Sequence, residues 1–169
     1  MTAIFVAEIL RYFIGFVLLA AVVGKLRTFA VFRDNLVSSF GMPPAASALA
    51  APALVAAELL VAAMVMGQLG RPGMLAALLL FGAFTAIVTY RFLQEGVVRC
   101  SCFGEAERNI SALDLVRNGL VVSSIVAYLA LAAVGQPSWH VSLLAAGLAS
   151  VLAVLAVHFH DVVTLLRTS

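Results

Sequence analysis

Charge is what this sequence has least of. Only 11% of its 169 residues are Asp, Glu, Lys or Arg, whereas 64% are hydrophobic. Soluble domains carry about 25% charged residues, and a short soluble chain leaves much of its surface exposed. The composition therefore excludes an ordinary soluble domain and favours one whose apolar surface faces lipid. A net charge of +2 gives no basis for binding nucleic acid.

Strict alternation of apolar and polar residues, which spanning β-strands need over ~10-residue segments, is also missing. The apolar runs are continuous, and each has roughly the ~20 residues that a spanning helix requires. We therefore predict an all-α fold, a polytopic membrane helix bundle forming a single integral membrane domain over residues 1–169. The expected spans are residues 4–24, 45–67, 74–93, 111–134 and 139–163, and the alternative is four spans plus a peripheral helix.

The polar connector after the first span has its own periodicity. Its apolar residues recur at helical spacing, with charged and amide side chains between them, which predicts a short helix lying in the membrane interface. The alternative is an ordered loop. The sequence Gly41-Met42-Pro43-Pro44 would end this helix before the second span begins.

Cysteine is nearly absent, and both cysteines of the chain, Cys100 and Cys102, lie in one polar segment at 94–110. A disulfide between such close neighbours closes a small ring, and strain makes a disulfide more reducible. Positive charge and a helix N-terminus lower the pKa of a thiol. Arg99 is adjacent and Arg117 lies early in the following span, although acidic neighbours oppose their effect. The pattern favours thiol–disulfide exchange through a mixed disulfide.

Two other roles for the cysteines stay open. Two thiolates are too few for a closed zinc site, but His158 and His160 would return to the same membrane face and supply further ligands. These histidines are otherwise interpreted as interfacial polar residues. A purely structural role fits poorly with a loop position, because structural free cysteines tend to be buried.

Three charged residues lie inside the first two expected spans, where charge is costly and marks a buried pair or a functional site. Arg11 lies about seven residues, or roughly 10 Å, from its end of the first span. Glu58 lies about nine residues, or roughly 13 Å, from the corresponding end of the second. We therefore predict a buried ion pair between Arg11 and Glu58, which Glu8 would join. The pair would fix helix packing or line a polar cavity for a substrate, a quinone or protons.

Loop charges predict the orientation, because Lys and Arg accumulate on the cytoplasmic side. With five spans, the segments after the first and third spans and the C-terminus share one side. The bias predicts an outside N-terminus and a cytoplasmic cysteine segment, because that side carries nearly all the loop cations: Lys25, Arg27, Arg33, Arg91, Arg99, Arg108 and Arg167.

The cysteine segment also carries a family resemblance. The chain resembles the methylamine-utilisation protein MauE family in a C-x-C-F-G segment that leads into a helix with an L-x-R-N-x-x-L-like pattern: Cys100-Ser101-Cys102-Phe103-Gly104, then Asn109, Ser111 and Leu115-Val116-Arg117-Asn118-Gly119-Leu120. Its first two spans look like the broader DoxX-like group, through a basic residue in the first span, the sequence Gly24-Lys25-Leu26 and a glutamate in the second span.

The resemblance implies a DoxX-like core of four helices in the inner membrane of a bacterium. It implies a redox-associated role with a thioredoxin-like partner, in which Arg99, Phe103, Gly104, Arg117 and Asn118 would support the cysteines. The namesake system matures a disulfide-rich subunit outside the cytoplasm, which is opposite to the side that loop charges predict. A quinone-linked relay, a non-catalytic scaffold for an oxidoreductase and a small metal-ion permease are the alternatives.

Overall fold

The computed structural model describes residues 2–67, 69–95, 112–131, 138–159 and 162–163. Five of its helices are long and apolar enough to cross a membrane, which confirms the prediction of an all-α, five-span protein. A short helix follows the first span, as expected. The helices are α1 (Thr2–Arg27), α2 (Phe29–Ser38), α3 (Pro44–Met66), α4 (Gly70–Glu95), α5 (Ala112–Ala130) and α6 (Trp139–Val157).

Four of the long helices form a ring around the core. Helix α1 packs against α3, α3 against α4, α4 against α5, and α5 closes the ring on α1. The centre is filled by fully buried side chains from all four helices, including Ile14, Val65, Met74 and Ile125. Helix α6 lies outside this ring and packs mainly on α1. The ring agrees with the expected core of four helices.

The junction between α2 and α3 is a tight reversal. Gly41 has a φ of +66°, a left-handed conformation that only glycine adopts without strain. The Gly41 amide donates to the Val37 carbonyl at 3.1 Å, and the Met42 amide donates to the Leu36 carbonyl at 3.1 Å. This turn lets α2 fold back and pack against α3, so that α2 covers one end of the bundle.

The antiparallel order of the spans defines the two ends of the bundle. One end of the bundle contains the C-termini of α1 and α4, the N-termini of α3 and α5, and the short helix α2. Residues 96–111, which connect α4 to α5 and contain both cysteines, lie outside the described residues. We call this end the cysteine end and the other the opposite end.

Candidate functional site

A buried ion pair joins α1 to α3 toward the cysteine end. The Lys25 ammonium donates to both carboxylate oxygens of Glu58, at 2.6 and 2.9 Å. Only 5% of the Lys25 side chain and 13% of the Glu58 side chain are exposed. The Phe32 ring of α2 lies 5.5 Å from the Lys25 nitrogen. The pair is therefore held between two spans under the short helix.

The predicted ion pair between Arg11 and Glu58 is wrong, because Glu58 binds Lys25 and Arg11 binds Glu8. The depth estimate compared backbone positions, but helical side chains lean toward the N-terminus of their own helix. In the antiparallel pair α1 and α3, this direction carries Arg11 toward the opposite end and Glu58 toward the cysteine end. Lys25 leans back from the end of α1 into the bundle, where it meets Glu58.

A second buried network occupies the opposite end. Arg11 donates to Glu8 Oε2 at 2.7 Å and to the carbonyls of Met66 and Gly67 at 3.2 and 3.0 Å. The Ser142 hydroxyl of α6 donates to the same Glu8 oxygen at 3.2 Å. The last carbonyls of a helix lack partners within it and carry partial negative charge, which suits a guanidinium. Glu8 was expected to join a pair of Arg11 and Glu58, and instead it pairs with Arg11 while Glu58 binds Lys25. Glu8 and Arg11 together tie α1 to the end of α3 and the start of α6.

A third buried polar group lies near the start of α5. Arg117 approaches Asp114 with 3.6 Å between Nη1 and Oδ1, and it donates to Asn118 Oδ1 at 3.5 Å. All three residues are buried. Arg117 and Asn118 were predicted as supporting residues, whereas the role of Asp114 as a partner of Arg117 was missed. The signal was available, because an acid and a base three positions apart share one face of a helix.

Of the remaining predicted site residues, the structure places His158 alone. Arg99, Cys100, Cys102, Phe103 and Gly104 lie outside the described residues, and their roles stay predictions. His160 also lies outside them. His158 caps the end of α6, where its backbone amide donates to the Val154 carbonyl at 3.0 Å. The alternative metal site of Cys100, Cys102, His158 and His160 is therefore untested.

The fold and its buried ion pairs define a class: a small polytopic helical membrane protein with charged contacts between spans. Residues 3–133 match the family described as methylamine utilisation protein MauE, and this chain belongs to that family. The match covers α1 to α5 and stops before α6. No curated protein and no solved structure matches the chain.

Proposed function

We propose that this MauE-family protein is a membrane thiol–disulfide relay. It passes electrons or disulfides through Cys100 and Cys102 to a thioredoxin-like protein or another dithiol partner during protein maturation. The observation that carries the proposal is a pair of cysteines, the only two in the chain, one residue apart in a segment that belongs to the family match. Arg99 lies beside the pair, and cationic neighbours favour the reactive thiolate.

The exchange needs no other redox group. The thiolate of one cysteine attacks a disulfide of the partner, whose S–S bond breaks as a mixed disulfide forms. The thiolate of the second cysteine then displaces the partner, which leaves as a dithiol with both electrons. Cys100 and Cys102 are then joined as a disulfide. The same steps in reverse deliver a disulfide to the partner, and the strain of so small a ring favours that direction.

The described residues on either side of the segment support this role, because the helices that precede and follow it are fixed in the bundle. Helices α4 and α5, which precede and follow it, pack against each other. Arg91 near the end of α4 donates to the Phe40 carbonyl at 2.9 Å and so ties α4 to the turn after α2. Asp114 and Arg117 pair in the first turns of α5. Reactive segments are commonly carried on rigid scaffolds of this kind.

Trapping is the direct test. Cys100→Ser and Cys102→Ser are expressed singly, free thiols are blocked on lysis, and non-reducing gels are probed for adducts. We expect one single variant to accumulate a mixed disulfide with a thioredoxin-like protein, because the resolving thiol is missing. Ser101→Ala, in the same segment, is the matched control and should give no stable adduct. If neither single variant traps a partner and the double Cys→Ser variant still supports maturation, the protein is a scaffold and the relay is refuted.

The side of the membrane is a separate part of the proposal. Loop cations support a cytoplasmic cysteine segment. A membrane-impermeant maleimide should then label Cys100 and Cys102 only after the membrane is permeabilised. Labelling with a membrane-permeant maleimide measures the total of reactive thiols, and labelling of intact and of permeabilised cells is compared with that total. Labelling in intact cells would instead place the segment outside, as the resemblance to the namesake system implies, and would overturn the charge-based orientation.

A further inference from the structure

A groove separates α5 from α6 on the outside of the ring. Both helices pack on α1, and in the described part of the chain they have little contact with each other. The gap between them has a volume of about 270 Å³, with α1 as its floor. An apolar cavity of about 150 Å³ already accepts a benzene molecule, so this groove has room for one substituted ring.

The lining is apolar except for two side chains. The groove is lined by Phe13 of α1, by Leu152 and Ala156 of α6, by Phe159 just beyond α6, and by further aliphatic side chains. The polar members are Arg117 and Ser124 of α5, and the Arg117 side chain is only 9% exposed. A ligand that fits is therefore mostly apolar, with any hydrogen-bond acceptors placed where Arg117 and Ser124 lie.

Charge argues for a neutral ligand. Asp114 approaches Arg117 at 3.6 Å, so the guanidinium already has a carboxylate beside it. A phosphate or carboxylate entering the groove would meet that carboxylate at close range in a medium of low dielectric constant. A carbonyl oxygen accepts a hydrogen bond from an arginine without adding charge.

Depth argues in the same direction. Arg117 follows the first residue of α5 by five positions, which corresponds to roughly 8 Å along the helix axis. The whole of α5 has 19 residues, close to the ~20 needed to cross the hydrocarbon core. The backbone of Arg117 thus lies inside the expected span, which favours a ligand that partitions into the membrane interior.

We propose that this groove binds a membrane quinone, with a ring carbonyl at Arg117 and the isoprenoid tail along α6. The role of the quinone as an electron acceptor rests on the relay proposed above, whereas its binding to the groove does not. In the oxidising direction, two thiols release two electrons and two protons as the disulfide forms, and the quinone takes up all four to become a hydroquinone.

The test uses tryptophan fluorescence, which quinones quench on contact. The chain has one tryptophan, Trp139, which is 67% exposed and does not line the groove. The reporter is the full chain with Trp139→Phe and Phe13→Trp, in phosphatidylcholine nanodiscs titrated with decyl-ubiquinone. We expect saturable quenching of the groove reporter and only linear quenching of native Trp139. Equal linear quenching of both would show partition into lipid only and overturn the proposal.

Two sets of variants test the site itself. Ala156→Phe fills the groove and should abolish saturation, whereas Leu148→Phe, the same kind of change on an exposed part of α6, should preserve it. The double variant Asp114→Met/Arg117→Met removes the charges together, so that neither is left buried alone. It should weaken binding about tenfold or more, as expected for a lost hydrogen bond to a charged donor. Unchanged binding in Ala156→Phe would overturn the proposal.

Two further arms identify the occupant and separate this proposal from the relay. If phosphatidylglycerol added to the nanodiscs abolishes saturable quenching, the groove binds anionic lipid and the quinone is wrong. The titration is repeated with both Cys100 and Cys102 changed to Ser. Saturable quenching should persist, because the site needs no thiol. Failed trapping, with maturation intact in the double Cys→Ser variant and with persistent quenching, refutes the relay alone. Trapping without saturable quenching refutes the quinone site alone.

Discussion

The pair of Lys25 and Glu58 makes a sharp energetic prediction. Lys25→Met leaves the Glu58 carboxylate buried without its cation, and Glu58→Met leaves the ammonium in the same position. Removing one partner of a buried pair costs about 3–5 kcal/mol, whereas replacing both by apolar side chains of similar volume is often neutral. We expect each single variant to lose about 3 kcal/mol and the double variant to stay within ~1 kcal/mol of the parent protein.

The single and double variants of Lys25 and Glu58 form one double-mutant cycle, and a second cycle on Arg11 and Glu58 tests the pair that was predicted from depth. Arg11 donates to the Met66 carbonyl, eight residues beyond Glu58 and therefore roughly 12 Å further along α3. Sites this far apart without shared partners add to within ~0.5 kcal/mol. Arg11→Met and Glu58→Met should therefore be additive, whereas Lys25→Met and Glu58→Met should show coupling of several kcal/mol.

The assay is reversible unfolding in mixed micelles with increasing mole fraction of dodecyl sulfate, followed by pulse proteolysis. Arg27→Met is the matched control, because Arg27 is an exposed cation two positions from Lys25, and it should change the free energy of unfolding by less than ~0.5 kcal/mol. The reasoning is refuted if Lys25→Met costs no more than this control. It is equally refuted if the strong coupling belongs to Arg11.

Two further predictions concern packing. A Cβ at Gly73 would lie 2.8 Å from the backbone of α3, whereas a Cβ at Gly82 would meet nothing within 4 Å. Gly73→Ala should therefore lower the free energy of unfolding by about 1–3 kcal/mol, and Gly82→Ala, its control, should not. Equal effects of the two substitutions would contradict the close approach of α3 and α4. Ser142→Ala removes the hydrogen bond from α6 to Glu8 and should cost about 0.6 kcal/mol, with faster proteolysis of α6. Ser150→Ala, whose hydroxyl bonds within its own helix, is its control, and matching proteolysis rates would show that the bond does not anchor α6.

The spans were predictable because the bilayer imposes a length and an apolar composition on each helix, and both are local properties of the sequence. The helix after the first span was predictable for a related reason, since its periodicity is also local. Partners between spans were not, because they depend on the direction in which each side chain leaves its helix. Lys25 looked like a loop cation that ends a span, although it folds back to meet Glu58.

The cysteine site has a different status. The C-x-C-F-G segment predicted the family correctly, because family membership is a property of the sequence pattern. Its chemistry depends on which groups surround Cys100 and Cys102, and residues 96–111 lie outside the part of the chain that the structure describes. The roles of Cys100 and Cys102 therefore stay predictions, whereas Arg117 and Asn118, which follow the segment, are buried in the bundle.

The two buried pairs differ in how they enter the membrane. Glu8 and Arg11 are three positions apart on one helix, so they neutralise each other as soon as α1 forms. Glu58 pairs instead with Lys25, which is 33 residues earlier in the chain. Glu58 lies well inside α3, and a lone charge at the centre of a span costs about 2.5–3.5 kcal/mol on insertion scales, whereas Lys25 lies in the last turn of α1, within reach of the interface. Membrane insertion is thus cheaper if α1 and α3 leave the translocon together as a hairpin. The same contact that fixes the finished bundle also sets an order for its biogenesis.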